Sequence, residues 1–124
     1  YCVELPSITA GENTPVHALL RSASRPTAIV VSDDILALTL ERICTETGLS
    51  IPADLSILSF NNSLFARLTS PQLTSIDINS CQLGIEAAAQ MISHIENPEL
   101  PATKILVPHQ LIERDSCARP VSHS

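Results

Sequence analysis

Aromatic residues and glycines are scarce in this chain of 124 residues, which has no tryptophan, one tyrosine, two phenylalanines and three glycines. With so few rings, the core has to be built from aliphatic side chains. So few glycines also leave no Gly-rich loop behind a strand, which excludes a phosphate cradle of the nucleotide-binding kind. The chain nevertheless has a composition that folds, because 44% of its residues are hydrophobic and only 16% are charged.

Basic residues are equally few. Seven lysines and arginines stand against thirteen acidic residues, for a net charge of −6. A surface of that sign repels phosphate, so this chain alone is not expected to hold nucleic acid. No apolar stretch reaches the roughly eighteen residues that a membrane span needs, so no membrane partner is expected.

The cysteines and histidines do not occur at the spacings that are typical of disulfide frameworks, metal sites or catalytic motifs. The four cysteines lie far apart with no C-x-x-C pair, which favours reduced thiols in a cytoplasmic protein over a disulfide framework or a zinc site. The four histidines are scattered, without an H-E-x-x-H motif, and no G-x-S-x-G elbow is present. We therefore predict no metal, no cofactor and no enzymatic activity.

Short apolar runs alternate with periodic segments along the chain. The β-branched run at 27–31 is typical of a strand covered on both faces. A helix is predicted over 34–47, with Ser32 or Asp33 able to serve as its N-cap and Gly48 ending it. A second strand is predicted at about 55–60. The order strand, helix, strand with short links indicates a parallel pair joined by a right-handed crossover.

The flanking segments extend this pattern. They predict an opening strand at 3–8, a helix over 15–24, a strand at 73–78, a helix over 80–97 capped by Ser80, and one or two short strands around Pro108. The predicted fold class is α/β, with a mostly parallel sheet and helices on both faces.

Polar residues follow the first two predicted strands of this sheet. Ser32, Asp33 and Asp34 come after one strand, and Asn61 and Asn62 after the next. In open parallel sheets, ligands bind beyond the carboxyl ends of the strands, and neighbouring strands lie only roughly 4.8 Å apart. We expect one polar patch, in which Asp34 caps the helix and Asp33 accepts ligand hydroxyls. Taken separately, acids at a helix start and an Asn-Asn turn are more typical of a structural role. Their combination at one sheet edge leaves a structural and a ligand-binding role equally open.

Several segments together resemble the lactose- and galactose-repressor (LacI/GalR) family of transcription regulators. They are PTAIVVSDDILAL (26–38), GLSIPADLSILSF (48–60), PQLTSIDI (71–78) and LVPHQLIERDSC (106–117). The resemblance covers about residues 25–117 and implies the C-terminal part of an effector-binding domain with the periplasmic-binding-protein fold. It implies a sugar effector in a cleft between two lobes.

This chain departs from the family pattern at the two positions that contact the effector. Where the family has Asn-Asp, this chain has Asp33-Asp34, and where it has Gly-aromatic-Asp, this chain has Ser59-Phe60-Asn61. The acid and the amide have traded places, so one carboxylate still faces the ligand. The segments look most like maltose-operon repressors of Gram-positive bacteria. The resemblance implies effector contacts from Asp33, Asn61, Ser32 and Phe60, supported by Asp34 and Asn62.

The resemblance also implies the organisation and the partners. Residues 1–117 are expected to form most of the C-terminal lobe and 118–124 a polar tail, with the N-terminal lobe and the DNA-binding headpiece outside this chain. Operator DNA is then bound only through that headpiece. A homodimer is implied through Leu38, Arg42, Leu64, Phe65, Leu68 and Thr69.

Two alternatives remain open at this stage. A periplasmic sugar-binding protein has the same fold, although four unpaired cysteines disfavour it. A flavodoxin-like phosphoacceptor domain uses an acidic pair after its first strand to hold Mg²⁺. That domain also needs a third aspartate and a later lysine, whereas here the second strand ends in Asn61 and the only lysine is Lys104, early in its segment. Arg67 and Arg114 are the cations placed best to reach a polar pocket, but a surface position is predicted for both.

Overall fold

The computed structural model describes residues 14–120. The elements follow in the order α1 (Thr14–Arg21), β1 (Ala28–Val30), α2 (Asp34–Thr47), β2 (Ser56–Phe60), α3 (Leu64–Leu68), β3 (Thr74–Asp77), α4 (Ser80–Glu96) and β4 (Gln110–Ile112). The opening strand predicted at 3–8 lies outside the described residues.

The strands form one four-stranded sheet in the order β1-β2-β3-β4. β1, β2 and β3 run parallel, and β4 is antiparallel to β3. This confirms the predicted α/β class with a mostly parallel sheet. The run at 27–31 differs from its prediction of a strand covered on both faces, because β1 is an edge strand among residues 14–120 and Val30 is 64% exposed. Of the one or two strands predicted around Pro108, the structure has β4 alone.

The core lies between the helices α1 and α2 and the side of β2 that they cover. Leu20 on α1, Ile43 on α2 and Ile57 on β2 are each at most 2% exposed. Burying an aliphatic side chain of this size contributes about 1.5–3 kcal/mol relative to leaving it in water. As predicted from the scarcity of aromatics, the core is aliphatic.

Helix α4 behaves differently from α2. Its sequence has a stripe of apolar residues at helical spacing, but none of its residues is buried, and Met91 and Ile95 are 67% and 71% exposed. Its N-cap is Asn79, in the left-handed region at φ 54°, and Ser80, the predicted cap, is the first helical residue. Within residues 14–120, α4 therefore contributes nothing to the core.

A segment close to the end of the described residues crosses back over the sheet. The Ser116 hydroxyl donates to the Ile57 carbonyl (2.6 Å) and accepts from the Thr74 amide (2.8 Å), while the Ile57 amide donates to the Ser116 carbonyl (2.9 Å). Ser116 is completely buried. One residue thus joins β2 to the start of β3.

Gly48 ends α2 at φ 75°, with its amide donating to the carbonyls of Cys44 and Thr45. Because residues with a Cβ are strained there, we expect Gly48→Ala to destabilise the protein by about 1 kcal/mol. Gly84, inside α4, is the matched control: an added Cβ meets no atom within 4 Å, so Gly84→Ala should be neutral or stabilising. Urea denaturation midpoints of both variants test this pair, and equal effects would contradict the role of φ.

Candidate functional site

The carboxyl ends of β1, β2 and β3 meet at one edge of the sheet. The Val31 amide bonds the Leu58 carbonyl (2.8 Å) beyond β1, and the Asn61 amide bonds the Ile76 carbonyl (2.9 Å) beyond β2. Helices α2 and α3 begin at this same edge. The structure therefore brings together the polar residues that follow the first two strands, as the sequence predicted.

Asp33 is the N-cap of α2. Its backbone is extended, and its Oδ1 accepts from the Leu36 amide at 2.8 Å. Within residues 14–120, Oδ2 of Asp33 has no hydrogen-bond partner, and the side chain is half-buried. One oxygen therefore stabilises the helix and the other remains available. Ser32, just before it, is exposed.

Asp34 has a different role from the one predicted. It is not the cap, and its side chain is only 2% exposed. Oδ1 accepts from the hydroxyls of Ser59 (2.6 Å) and Ser75 (2.9 Å), and Oδ2 accepts from the Ser63 amide (2.6 Å). Burial acts to raise the pKa of Asp34, but the hydrogen bonds from Ser59, Ser63 and Ser75 outweigh it and hold the pKa below its ordinary value. A buried carboxylate thus joins α2, β2, β3 and the start of α3.

The turn after β2 carries two consecutive asparagines in the left-handed region, Asn61 at φ 94° and Asn62 at φ 46°. Asparagine tolerates this conformation better than most residues. Asn61 is exposed, and its side chain makes no hydrogen bond to the described residues. Phe60, before the turn, is half-buried at the end of β2.

Asn62 is not a helix cap, since Ser63 precedes α3. Its side chain is held on both sides, with Nδ2 donating to Asp77 Oδ2 (2.9 Å) and Oδ1 accepting from Arg114 Nη2 (2.5 Å). Arg114 Nη1 also donates to the Leu73 carbonyl (2.7 Å). The Asn62 side chain is therefore fixed in place within this Arg114–Asn62–Asp77 chain.

Asp77 and Arg114 are the residues that sequence reasoning missed at this edge. Hydrogen bonds from the Asn62 side chain and the Asn79 amide, and the nearby charge of Arg67, hold the pKa of Asp77 below its ordinary value. Arg114 was predicted at the surface but is half-buried against the turn. The signal available was its place two residues after β4, and that signal depended on knowing that β4 pairs with β3.

An apolar surface lies on the other side of α2, where α2 contacts α3. We call it the α2–α3 face. It comprises Ile35, Leu38, Leu64, Phe65 and Leu68, of which Leu64 and Leu68 are 67% and 69% exposed. Arg42 borders it and pairs with Glu46 at 3.6 Å. Thr69, predicted to belong to an interface, is instead buried, with its hydroxyl 3.4 Å from the Ala66 carbonyl.

A cavity of about 260 Å³ lies at the opposite edge of the sheet, lined by Arg25, Asp54 and the start of β2. Arg25 and Asp54 face each other there at 3.3 Å and are both about one-third exposed. An ion pair of that exposure is an ordinary surface feature. The cavity holds none of the residues predicted to bind a ligand.

The chain matches known proteins over most of its length. A family described as periplasmic binding protein-like domains matches residues 3–117. The HTH-type transcriptional repressor PurR of Pectobacterium carotovorum is 35% identical over 103 residues, covering 83% of this chain and 30% of the relative. The chain spans about three tenths of the length of the curated relatives it matches.

Solved structures match the fold in the same way. A LacI transcriptional regulator from Bacillus cereus subsp. cytotoxis has a TM-score of 0.79 and 39% identity, covering 83% of this chain and 36% of that one. A LacI family regulator from Enterococcus faecalis with bound ribose has a TM-score of 0.77 and 34% identity, covering 86% and 39%. Within residues 14–120, no helix is long and apolar enough to cross a membrane.

Proposed function

Because this chain belongs to the family of periplasmic binding protein-like domains and its relatives are LacI-family regulators, we propose that it is the effector-sensing part of a sugar-responsive transcriptional repressor. The protein that contains it would then be cytoplasmic and would bind operator DNA through a separate helix-turn-helix headpiece. Sugar binding would shift the populations of two arrangements of the lobes, and so change the affinity for DNA.

One observation carries this proposal. At the carboxyl edge of the sheet, the Asn61 side chain and Oδ2 of Asp33 have no hydrogen-bond partner among the described residues. The groups around them are fixed by the Asp34 network and by the Arg114–Asn62–Asp77 chain. An amide offers donors and an acceptor, and a carboxylate offers acceptors, which together suit neighbouring hydroxyls of a sugar.

The proposed effector is maltose or a malto-oligosaccharide. The basis is the pair of residue types at positions 33 and 61. This chain has an acid and then an amide, Asp33 and Asn61, where the family has the amide first. The surrounding segments look most like those of maltose-operon repressors. Bound ribose in the regulator from Enterococcus faecalis supports a sugar as the ligand class and makes ribose the main competitor.

The two alternatives have less support. The relatives and solved structures named above are transcription regulators, which favours that class over a periplasmic sugar-binding protein. A phosphoacceptor needs two open carboxylates after the first strand, but the Asp34 oxygens already accept three hydrogen bonds inside the protein. Only Asp33 of that pair remains open to a ligand.

We further propose that the full-length protein is a homodimer that pairs through the α2–α3 face, with Arg42 at its border. Exposed leucines on two adjoining helices are costly in water and gain most when a complementary surface covers them. The face is apolar at its centre and has charges of both signs at its rim, Arg42 and Glu46 among them. A surface of that kind suits a second copy of itself in a two-fold arrangement.

A thermal-shift panel on the full-length protein tests the effector, using maltose, maltotriose, trehalose, galactose and ribose. A sugar at about 100 times its dissociation constant should stabilise the protein by roughly 2.7 kcal/mol. We expect malto-oligosaccharides alone to raise the melting temperature, and Asp33→Asn to abolish the rise. This variant separates the two roles of Asp33, because asparagine caps a helix about as well as aspartate but has no charge.

Glu46→Gln is the matched control, since it removes one charge from the exposed side of α2 and should leave the shift intact. A shift with ribose or galactose alone would keep the sugar sensor and contradict maltose. A shift that survives Asp33→Asn would show that sugar binding does not need the charge of Asp33, and would contradict the role given to its carboxylate. No shift with any of the five sugars would contradict the proposed effector class.

A further inference from the structure

Glu41 has a carboxylate oxygen in an unusual position. It lies on α2 in a stripe with Asp34, Leu38 and Thr45, at the three- and four-residue spacing that places side chains on one side of a helix. The first member of the stripe, Asp34, bonds the residue that precedes α3. Glu41 therefore lies on the side of α2 that adjoins α3. Its Oε1 is buried and has no hydrogen-bond partner among residues 14–120.

None of the charged groups on the elements packed against α2 bonds the Glu41 side chain within residues 14–120. On α2 itself, Arg42 pairs with Glu46 (3.6 Å), and the neighbouring Cys44 is buried. Helix α1 brings His17, 3.4 Å from Glu46, together with Arg21 in its last turn. Helix α3 carries Arg67, whose charge acts on Asp77, and β2 has no titratable residue.

This setting changes the proton affinity of Glu41. Burial raises the pKa of its carboxyl to about 7, and burial together with the charge of Glu41 raises the pKa of the Cys44 thiol to about 11. A buried acid without a donor favours its neutral form.

We propose that Glu41 makes the pairing of two copies through the α2–α3 face depend on pH, with the neutral acid enclosed in the pair and the carboxylate opposing it. The inference rests on the homodimer proposed above. A second copy laid on Leu38 and the exposed leucines of α3 would remove the remaining water from Glu41. Enclosure would then favour the neutral form of Glu41 further. When two copies with ionised Glu41 pair, each Glu41 would therefore take up one proton.

The sign follows from linkage. Below about pH 6, Glu41 is neutral in the separate copies, and pairing is at full strength. As the pH rises through 7, the separate copies lose a proton that the pair retains, so pairing weakens. Because each pair contains two such groups, the dissociation constant of the pair can rise by at most about 100-fold for each pH unit.

Sedimentation equilibrium of the full-length protein at pH 6, 7 and 8 is the test. We expect the dissociation constant to rise at least tenfold, and up to about 100-fold, from pH 6 to pH 8. Glu41→Gln keeps the shape of the neutral acid, so it should pair with one affinity across this range and more tightly than wild type at pH 8. Glu46→Gln removes the same charge from an exposed position at the rim of the face. Whatever it does to the affinity, its dissociation constant should rise from pH 6 to pH 8 by the same factor as in wild type. Proton uptake on association, measured by calorimetry in buffers of different ionisation enthalpy, gives a readout without any substitution.

The other outcomes are decisive. Pairing of equal strength from pH 6 to pH 8, with no proton uptake, would overturn the role of Glu41 and leave the homodimer standing. A monomer at every pH would overturn both. If the pH dependence is lost in Glu46→Gln and kept in Glu41→Gln, its origin is the His17–Glu46 contact. That result would overturn the inference. Unchanged pairing in Leu68→Asp would show that another surface joins the copies, and would also overturn it.

Discussion

Replacing Asp34 with alanine is expected to lower the free energy of unfolding by about 3–5 kcal/mol, because two buried hydroxyls and one part-buried amide lose their shared acceptor at once. The hydroxyls of Ser59 and Ser75 and the amide of Ser63 converge on this carboxylate within 2.6–2.9 Å. Ser59 and Ser75 are fully buried and cannot turn to water. Urea denaturation followed by circular dichroism measures the loss.

Asp33→Ala is the matched control, since it removes a carboxylate from the adjacent residue. It loses one cap bond, to the Leu36 amide, and should cost only about 1 kcal/mol. The two variants should also differ in acid. The folded-state pKa of Asp34 is depressed, so its stabilisation is present above the ordinary value and is lost as the pH falls through the lower folded value. The difference between wild type and Asp34→Ala should therefore shrink in acid. Equal costs for the two substitutions at pH 7 would contradict the network.

Arg114→Met is expected to destabilise the protein by about 2–3 kcal/mol and to weaken sugar binding by tenfold or more, because hydrogen bonds from a charged donor are strong. The substitution leaves the Leu73 carbonyl and Asn62 Oδ1 without their guanidinium donors. Asn62 then keeps only its bonds to Asp77 and Ser75. Because Asn61 and Asn62 both occupy the left-handed region, a turn released on one side should relax, and the Asn61 side chain should leave its position.

Arg67→Met is the control for this prediction. Arg67 lies on the exposed surface of α3 and makes no hydrogen bond to the described residues, so its loss should change stability by less than about 0.5 kcal/mol. Denaturation midpoints and isothermal titration with the sugar identified by the thermal-shift panel separate the two effects. Full sugar affinity in a destabilised Arg114→Met protein would mean that Arg114 supports the fold and not the site.

The fold could be predicted from local signals because each is set by neighbouring residues. Gly48 ends α2 as predicted, and the helix bounds of 34–47 agree with the observed ones. The exposed Val30 shows the limit, since a β-branched run indicates a strand but not its place in the sheet. Likewise, the stripe on α4 predicts a helix without showing what covers it.

The site could be predicted in its location but not in its division of roles. Asp33 and Asp34 are neighbours of the same type, and only the direction in which each points decides which one caps α2 and which one is buried. That direction depends on serines 25 and 41 residues away from Asp34. Arg114 is 52 residues from Asn62, so no local pattern could have joined them.

The contacts of Ser116 have a consequence for how the protein is made. The Ile57 carbonyl accepts a hydrogen bond from Ser116, which is synthesised 59 residues later. At about 5–20 residues per second, the ribosome needs on the order of 3–12 s to supply it, and the backbone groups of Ile57 that bond Ser116 stay unpaired during that time. A nascent chain stalled before Ser116 therefore exposes the backbone groups of Ile57 and Thr74. Chaperones that recognise unpaired strands can bind the nascent chain during that interval. Stop codons placed before Ser116 should give products that are degraded rather than folded.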